Sequence, residues 1–341
     1  MSELYNQKIK ETFLHDAYAD SEGSRHNVFY LFKKIAKYEK NRDKDISDFT
    51  RDEIRNVLES IRPFSLADAK RKGNYLNFYI SWMIENGYRL NNISPLLAAD
   101  DNFYKSTLDN NRKLYYSYDE FQDILEETPN AQDQAMLALM FQGIIGEEFK
   151  ELTHLSYYDI DWKNGIVTIN NREDKLTDSV ITVTREVNDR VLYYLERAHN
   201  ATEYYRSNDK FGKAQNLVPS DLILKNTTSA RLKEGSSVSP SALYGRISRL
   251  KDFLDLEYFT SKTVMQSGML YMAYDLIFNQ KKYTNLSTEL YQEIGAYYNY
   301  STMRQQNGDV QYNRNFMAKF INPENLLNLY GVEVTESKAR L

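Results

Sequence analysis

The stretch MLALMFQGIIGEEFKELTHLSYYDID, Met136 to Asp161, decides how the rest of the chain reads. Leu137, Leu139, Met140 and Phe141 belong to an apolar run that predicts a buried helix over Ala131 to Gly146, with glycines at 143 and 146 to end it. A second short helix follows. Asp159-Ile160-Asp161 then leads into a turn, Trp162 to Gly165, and two β-rich runs, Ile166 to Ile169 and Val180 to Val183. The polar residues Asn170 to Asp178 between those runs predict a hairpin with a long loop. Glu147 and Glu148 are neighbours and would point apart on a helix, so they read as acids at a helix start, where the dipole favours negative charge.

Working outward, the chain before this stretch is helical. Lys8 to Tyr18 carries apolar residues at helical spacing, and Ser24 predicts an N-cap for Arg25 to Lys40. Thr50 and Glu53 form a capping-box pattern for Arg51 to Ile61. A fourth helix over Ser65 to Asn86 joins the basic Lys70-Arg71-Lys72 to an apolar second half, and Gly87 ends it. The mixed polar segment Asp100 to Leu114 reads as a linker. Ser117 and Glu120 predict another capping box. After the hairpin, Glu186 to Arg206 reads as an amphipathic helix. Ser239-Pro240 predicts the start of a helix over Ser241 to Leu254, Thr260-Ser261 one reaching Lys281, and Ser287 one reaching Tyr298. Short helices are expected over Asn313 to Phe320 and Glu324 to Leu329.

The chain has 341 residues and no cysteine, which excludes disulfides, thiolate catalysis and cysteine-ligated zinc. Its N-terminus lacks the apolar core of a signal peptide, and no apolar run reaches the roughly 18 residues of a membrane helix, so a cytoplasmic, DNA-associated location in a bacterial host is expected. The formal net charge of -5 argues mildly against a nucleic-acid partner. Residues 1 to 110 hold 17 Lys and Arg against 17 Asp and Glu, so no broad cationic field exists there. Charge instead concentrates locally. Lys70-Arg71-Lys72 is one cluster, and Arg231, Lys233, Arg246, Arg249 and Lys251 form another, with Ser239, Ser241 and Tyr244 interleaved. Arg246 and Arg249 lie three apart and share a helix face. Read alone, both clusters fit a solvated face as well as a phosphate contact.

Other chemistries find no support. His154 has no partner at metal-ligand spacing, and Gly143 and Gly146 precede no Gly-Lys-Ser/Thr, so neither metal nor cofactor is expected.

The central stretch resembles the signature of tyrosine recombinases, the phage integrase family. Gly146, Glu151, Leu152, Leu155 and Asp159 to Asp161 fall at matching spacings. The resemblance implies a mainly α fold: a helical core-binding (SAM-like) domain over 1–105 and an integrase-like, mostly helical domain with a small β-hairpin over 115–330. It also places several of the family's catalytic positions on residues that cannot do their chemistry. The first arginine falls on Glu148, the histidine on Lys262, the second arginine on Met265 and the third basic residue on Ala296. The nucleophilic tyrosine falls on Gln305, with Tyr300 and Tyr312 close by, and Lys175 alone matches a catalytic lysine. Each lost arginine removes a charge-assisted donor worth on the order of 3 kcal/mol to the transition state.

This pattern of loss is similar to that of the lytic-cycle repressors of SPbeta-like prophages. It implies a double-stranded DNA operator as partner, read through Lys70, Arg71, Lys72, Asn74, Arg231, Lys233, Ser239, Tyr244, Arg246, Arg249 and Lys262. Two other readings stay open: a divergent active recombinase using Tyr300 or Tyr312, and a protein-interaction module. A regulatory protein or peptide partner and the oligomeric state also stay open.

Overall fold

The computed structural model describes residues 4–19, 21–63, 66–89, 92–108, 113–206, 214–228, 235–306 and 308–336. The chain divides into two compact units, 1–112 and 113–341.

The first unit packs α1 (Gln7–Ala17), α2 (Glu22–Arg42), α3 (Arg51–Ser60), α4 (Leu66–Glu85) and α5 (Asp101–Lys105) around one apolar core. The capping box on α3 forms as the sequence predicts: the Thr50 hydroxyl accepts from the Glu53 amide, and the Glu53 carboxylate accepts from the Thr50 amide. Two boundaries differ. Helix α2 begins at Glu22, before Ser24, with Ser21 at its cap. The expected linker contains α5, because the Asp100 side chain caps it at Phe103 and both Phe103 and Tyr104 are buried. Gly73 makes room for that packing, since a Cβ there would lie 2.3 Å from the Tyr104 ring.

One polar cluster sits inside this core. Lys10 is fully buried, with Nζ 2.5 Å from Glu39 Oε1 and 3.5 Å from Asp45 Oδ2. The Tyr79 hydroxyl donates to Asp45, and the Ile46 amide donates to Glu39.

The second unit is built on α7 (Ala131–Phe141), whose residues from Gln132 onward are all buried. Helix α6 (Tyr118–Glu127) packs beside it through a Phe121–Phe141 stack with centroids 4.3 Å apart. Helix α7 ends at Phe141, earlier than the expected Gly146. Gly143 takes φ +74°, and the Ile144 amide closes the end onto the Leu139 carbonyl at 2.9 Å. No side chain would fit at 143, because a Cβ would meet the Tyr298 ring at 2.5 Å.

Helix α8 (Lys150–Thr153) leads to an antiparallel sheet of β1 (Ile160–Asp161), β2 (Ile166–Asp174) and β3 (Ser179–Glu186), in the order β1-β2-β3. The hairpin departs from the long loop expected. Strand pairing runs to Asp174–Ser179 through a bulge between Ile169 and Arg172, leaving only Lys175 to Asp178 as the tip. Helix α9 (Asp189–Asn200) is likewise shorter than expected, because Asn188 caps it and Glu186 belongs to β3. The segment past it forms β4 (Glu203–Tyr205), paired with β5 (Ala214–Asn216).

Helix α10 (Pro240–Phe253) begins at the predicted Ser239-Pro240, and α11 (Ser261–Tyr274) at a Thr260 capping box. Helix α11 continues as a π-helix over Asp275–Asn279, close to the expected end near Lys281. Helix α12 (Thr288–Tyr298) is capped by Ser287. A hairpin of β6 (Thr302–Arg304) and β7 (Val310–Tyr312) follows, which the sequence reading missed, and α13 (Arg314–Met317) and α14 (Pro323–Tyr330) close the unit.

Candidate functional site: a cavity beneath the hairpin tip

A cavity of about 700 Å³ opens in the second unit between the hairpin tip, the start of α11 and the end of α12. Lys175, Lys262 and Met265 all line it, so residues far apart in sequence converge as the motif spacing implies. Capping puts them there. Thr260 fixes the first turn of α11, which presents Lys262 and Met265 three residues apart on one side. The hairpin tip is tied down by Asn299, at the left-handed C-cap of α12: its side chain accepts from the Lys175 amide at 3.1 Å and donates to the Glu173 carbonyl at 2.6 Å.

The wall beneath the cavity is held by an ion pair absent from the sequence reading. Arg172 donates through Nε to Glu151 Oε1 at 2.8 Å and through Nη2 to Glu151 Oε2 at 2.9 Å. Its remaining donors go to the Gly143 and Tyr297 carbonyls. Both side chains are buried, so this arginine cannot reach a phosphate. Arg185 donates to the same Tyr297 carbonyl at 2.6 Å. The one available signal was the family match at Glu151, because a carboxylate in that buried position needs a cation. The expected long polar loop concealed which one.

Three of the expected positions lie elsewhere. Glu148, Ala296 and Gln305 are exposed and are not in the cavity wall. Glu148 and Phe149 are consecutive non-glycine residues with positive φ, 49° and 64°, which forms a strained turn. Gln305 lies in the turn between β6 and β7, so the nucleophile count, made without that hairpin, misses the cavity.

Tyr300 does line the cavity but is only 6% exposed. Its hydroxyl accepts from Gln266 Nε2 at 3.2 Å, and burial pushes its pKa up, with only that amide opposing. Tyr312 is buried against Gly295, away from the cavity. The cations on the cavity wall are Lys150, Lys175 and Lys262, and Lys150 is paired with Glu173 at 2.5 Å. Lys262 instead lies over the exposed Phe316 ring, 5.5 Å from its centroid, and Lys319 lies at 4.7 Å. No arginine lines it among the described residues.

The expected DNA contacts divide. In the first unit Lys70 is paired with Asp101, and both Arg71 and Lys72 with the buried Asp68. The Lys70-Arg71-Lys72 cluster is therefore largely neutralised within its own unit, with Arg71 and Asn74 still exposed. In the second unit Ser239 caps α10, and Tyr244 is 58% exposed with its ring edge-on to Phe149. Arg246 corrects the sequence reading. It is 4% exposed, donates to the Lys225 carbonyl at 2.8 Å and lies over the Tyr204 ring at 4.6 Å, with Asp133 Oδ1 4.0 Å from its Nε. Arg249 does share that face, and its Nη2 is 3.4 Å from the Tyr204 hydroxyl. The shared face points at β4 and α7, because the apolar Leu243, Ile247 and Leu250 bury that side of α10. Arg231 and Lys233 lie outside the described residues.

The chain thus joins a helical N-terminal unit to a C-terminal unit whose hairpin and helix ends close on one cavity. The chain belongs to the MrpR family: the family's "MrpR, C-terminal catalytic domain" matches residues 115–331, and its "MrpR, N-terminal core-binding domain" matches residues 4–85. It is similar to the SPbeta prophage-derived uncharacterized protein YopR of Bacillus subtilis (strain 168), at 28% identity over 284 residues, covering 80% of this chain and 82% of the relative. Solved structures similar to it include a lambda integrase dimer bound to a COC' core site (14% identity, TM-score 0.46, covering 98% of this chain and 80% of that one). The Tn1549 transposon integrase in complex with transposon right end DNA is another (11% identity, TM-score 0.43, 92% and 94% covered). No described helix is long and apolar enough to cross a membrane.

Proposed function

We propose that this protein is a sequence-specific, double-stranded DNA-binding transcriptional repressor, a prophage lysis–lysogeny regulator without strand-cleavage activity. The observation that carries the second half is the cavity wall: Met265 stands where the family resemblance puts an arginine, and Tyr300 is buried on Gln266. A pentavalent phosphate needs fixed charge-assisted donors, and two lysines on flexible stems do not replace an arginine fork. The family membership and the similarity to a prophage-derived protein support the DNA-binding half. So do the exposed Arg71, Asn74, Ser239, Tyr244 and Lys262, which can reach a duplex without unfolding either unit.

The alternative, a divergent recombinase, is favoured by one fact only, that Tyr300 shares the cavity with Lys175 and Lys262. A genome-wide occupancy map would supply the bound site, and a nicked suicide version of that site would then be incubated with the full chain. The repressor reading expects saturable binding with no covalent adduct. An adduct abolished by Tyr300→Phe overturns it, and absence of site-specific occupancy overturns DNA binding altogether.

A further inference from the structure

Of the arginines that the sequence marks as a DNA stripe, Arg249 lines a second, smaller cavity of about 240 Å³ in the C-terminal unit. Its wall includes Asp133, Tyr204, Tyr205, Arg206, Arg249 and Phe253. Asp133 is 1% exposed, and its carboxylate accepts from the Tyr204 hydroxyl at 3.0 Å and from the Asn130 amide at 3.2 Å. The Arg246 guanidinium stands directly behind, against both Asp133 and Tyr204. Its Nη1 is buried and finds no hydrogen-bond partner among the described residues, which leaves positive charge behind the Asp133 side of the wall. Arg206 and Arg249 form no ion pair with a described carboxylate. The cavity wall therefore carries two guanidiniums, Arg206 and Arg249, beside one acid, Asp133, which already has Arg246 behind it. Glu203 accepts from the Tyr205 hydroxyl but is not in the cavity wall.

The rest of the wall is aromatic. Tyr205 and Phe253 both expose their rings, and Leu250 is buried alongside. Guanidinium forks match the oxygens of phosphate and carboxylate groups, and flat rings stack on exposed aromatic faces. The volume lies below the usual range for drug-sized ligands, about 300 to 1,000 Å³, so the occupant is small.

We infer that this cavity is a binding site for a small phosphate ester carrying a flat ring, of the nucleoside monophosphate class, held through Arg249 and Arg206 and stacked on Tyr205 and Phe253. Helix α10 places the site independently of the DNA reading: its exposed Tyr244 leaves on another side from Arg249, and the test involves no DNA.

The full chain would be titrated by calorimetry with AMP, GMP, inorganic phosphate and adenosine. The expected result is saturable binding of at least one monophosphate, weaker binding of inorganic phosphate and none of adenosine. Arg249→Gln and Arg206→Gln should each weaken monophosphate binding by about tenfold or more, because each loses a charge-assisted contact. Arg249→Lys should retain part of it, and thermal melts of each variant would establish that the fold is intact. Binding of phosphate and monophosphate alike reduces the ligand to the anion alone and overturns the ring-stacking assignment. Failure of both monophosphates to bind, binding of adenosine equal to that of AMP, or binding unchanged in the arginine variants overturns the site.

Discussion

Arg172 and Glu151 meet fork to fork, at 2.8 and 2.9 Å, beneath the cavity that Lys175, Lys262 and Met265 line. The pair also ties the β2–β3 hairpin to α8 and, through the Tyr297 carbonyl, to the end of α12. The Arg172 guanidinium is turned inward and holds the walls of the cavity together.

Removing one partner of that pair leaves the other charge buried. Arg172→Met and Glu151→Leu should each destabilise the C-terminal unit by about 3–5 kcal/mol, whereas the double variant should lose much less, because apolar groups can replace both charges. Denaturant titrations of the four proteins form a double-mutant cycle. Additive losses would show that the two side chains are not coupled.

Restoring one arginine should not restore chemistry. Glu148 lies in an exposed, strained turn outside the cavity wall, and Met265 stays in it. Glu148→Arg is therefore expected to give no strand scission on a nicked duplex. Cleavage by that single variant would show that the turn delivers residue 148 to the phosphate after all.

Arg246 and Tyr244 should separate stability from binding. Arg246→Ala removes a buried hydrogen bond and leaves Asp133 short of its counter-charge, so a lower melting temperature is expected. Tyr244→Ala, at an exposed position, should weaken binding to bound-site DNA with the melting temperature nearly unchanged. Arg71→Ala should cost bound-site DNA more than random DNA, and Lys262→Ala, at an exposed lysine, should weaken both and lower the salt slope by roughly one unit. Melting curves and titrations at two salt concentrations read all four.

The N-terminal unit should carry a pH dependence at Glu39. Burial lifts this carboxyl from 4.5 to about 7, against the lowering effect of Lys10. A folded pKa above the unfolded one favours the folded state when the group is protonated. Its stabilising contribution is therefore full below the unfolded pKa of 4.5 and is lost as pH rises through about 7. Hydrogen exchange of α2 should accelerate across that window in the wild type, and Glu39→Gln should flatten the change. An equal slope in both proteins would place the titration elsewhere.

The elements that were legible in the sequence are those set by short-range chemistry. The capping boxes at Thr50 and Ser117, the Ser239-Pro240 start and the buried run of α7 need only neighbours within a few residues, and each formed where the spacing put it. The convergence of Lys175, Lys262 and Met265 was legible through motif spacing. What the spacing could not supply was direction. Arg172 lay in what read as a polar loop, and only the bulged pairing with β3 turns it under the cavity. Arg246 and Arg249 share a face by helical period alone, but whether that face meets solvent or protein depends on β4 and α7, which lie at least 40 residues away in sequence. Side-chain fate at such positions is decided by long-range packing: a buried guanidinium needs a carbonyl or carboxylate brought to it by the tertiary fold, and no local pattern records which one will arrive.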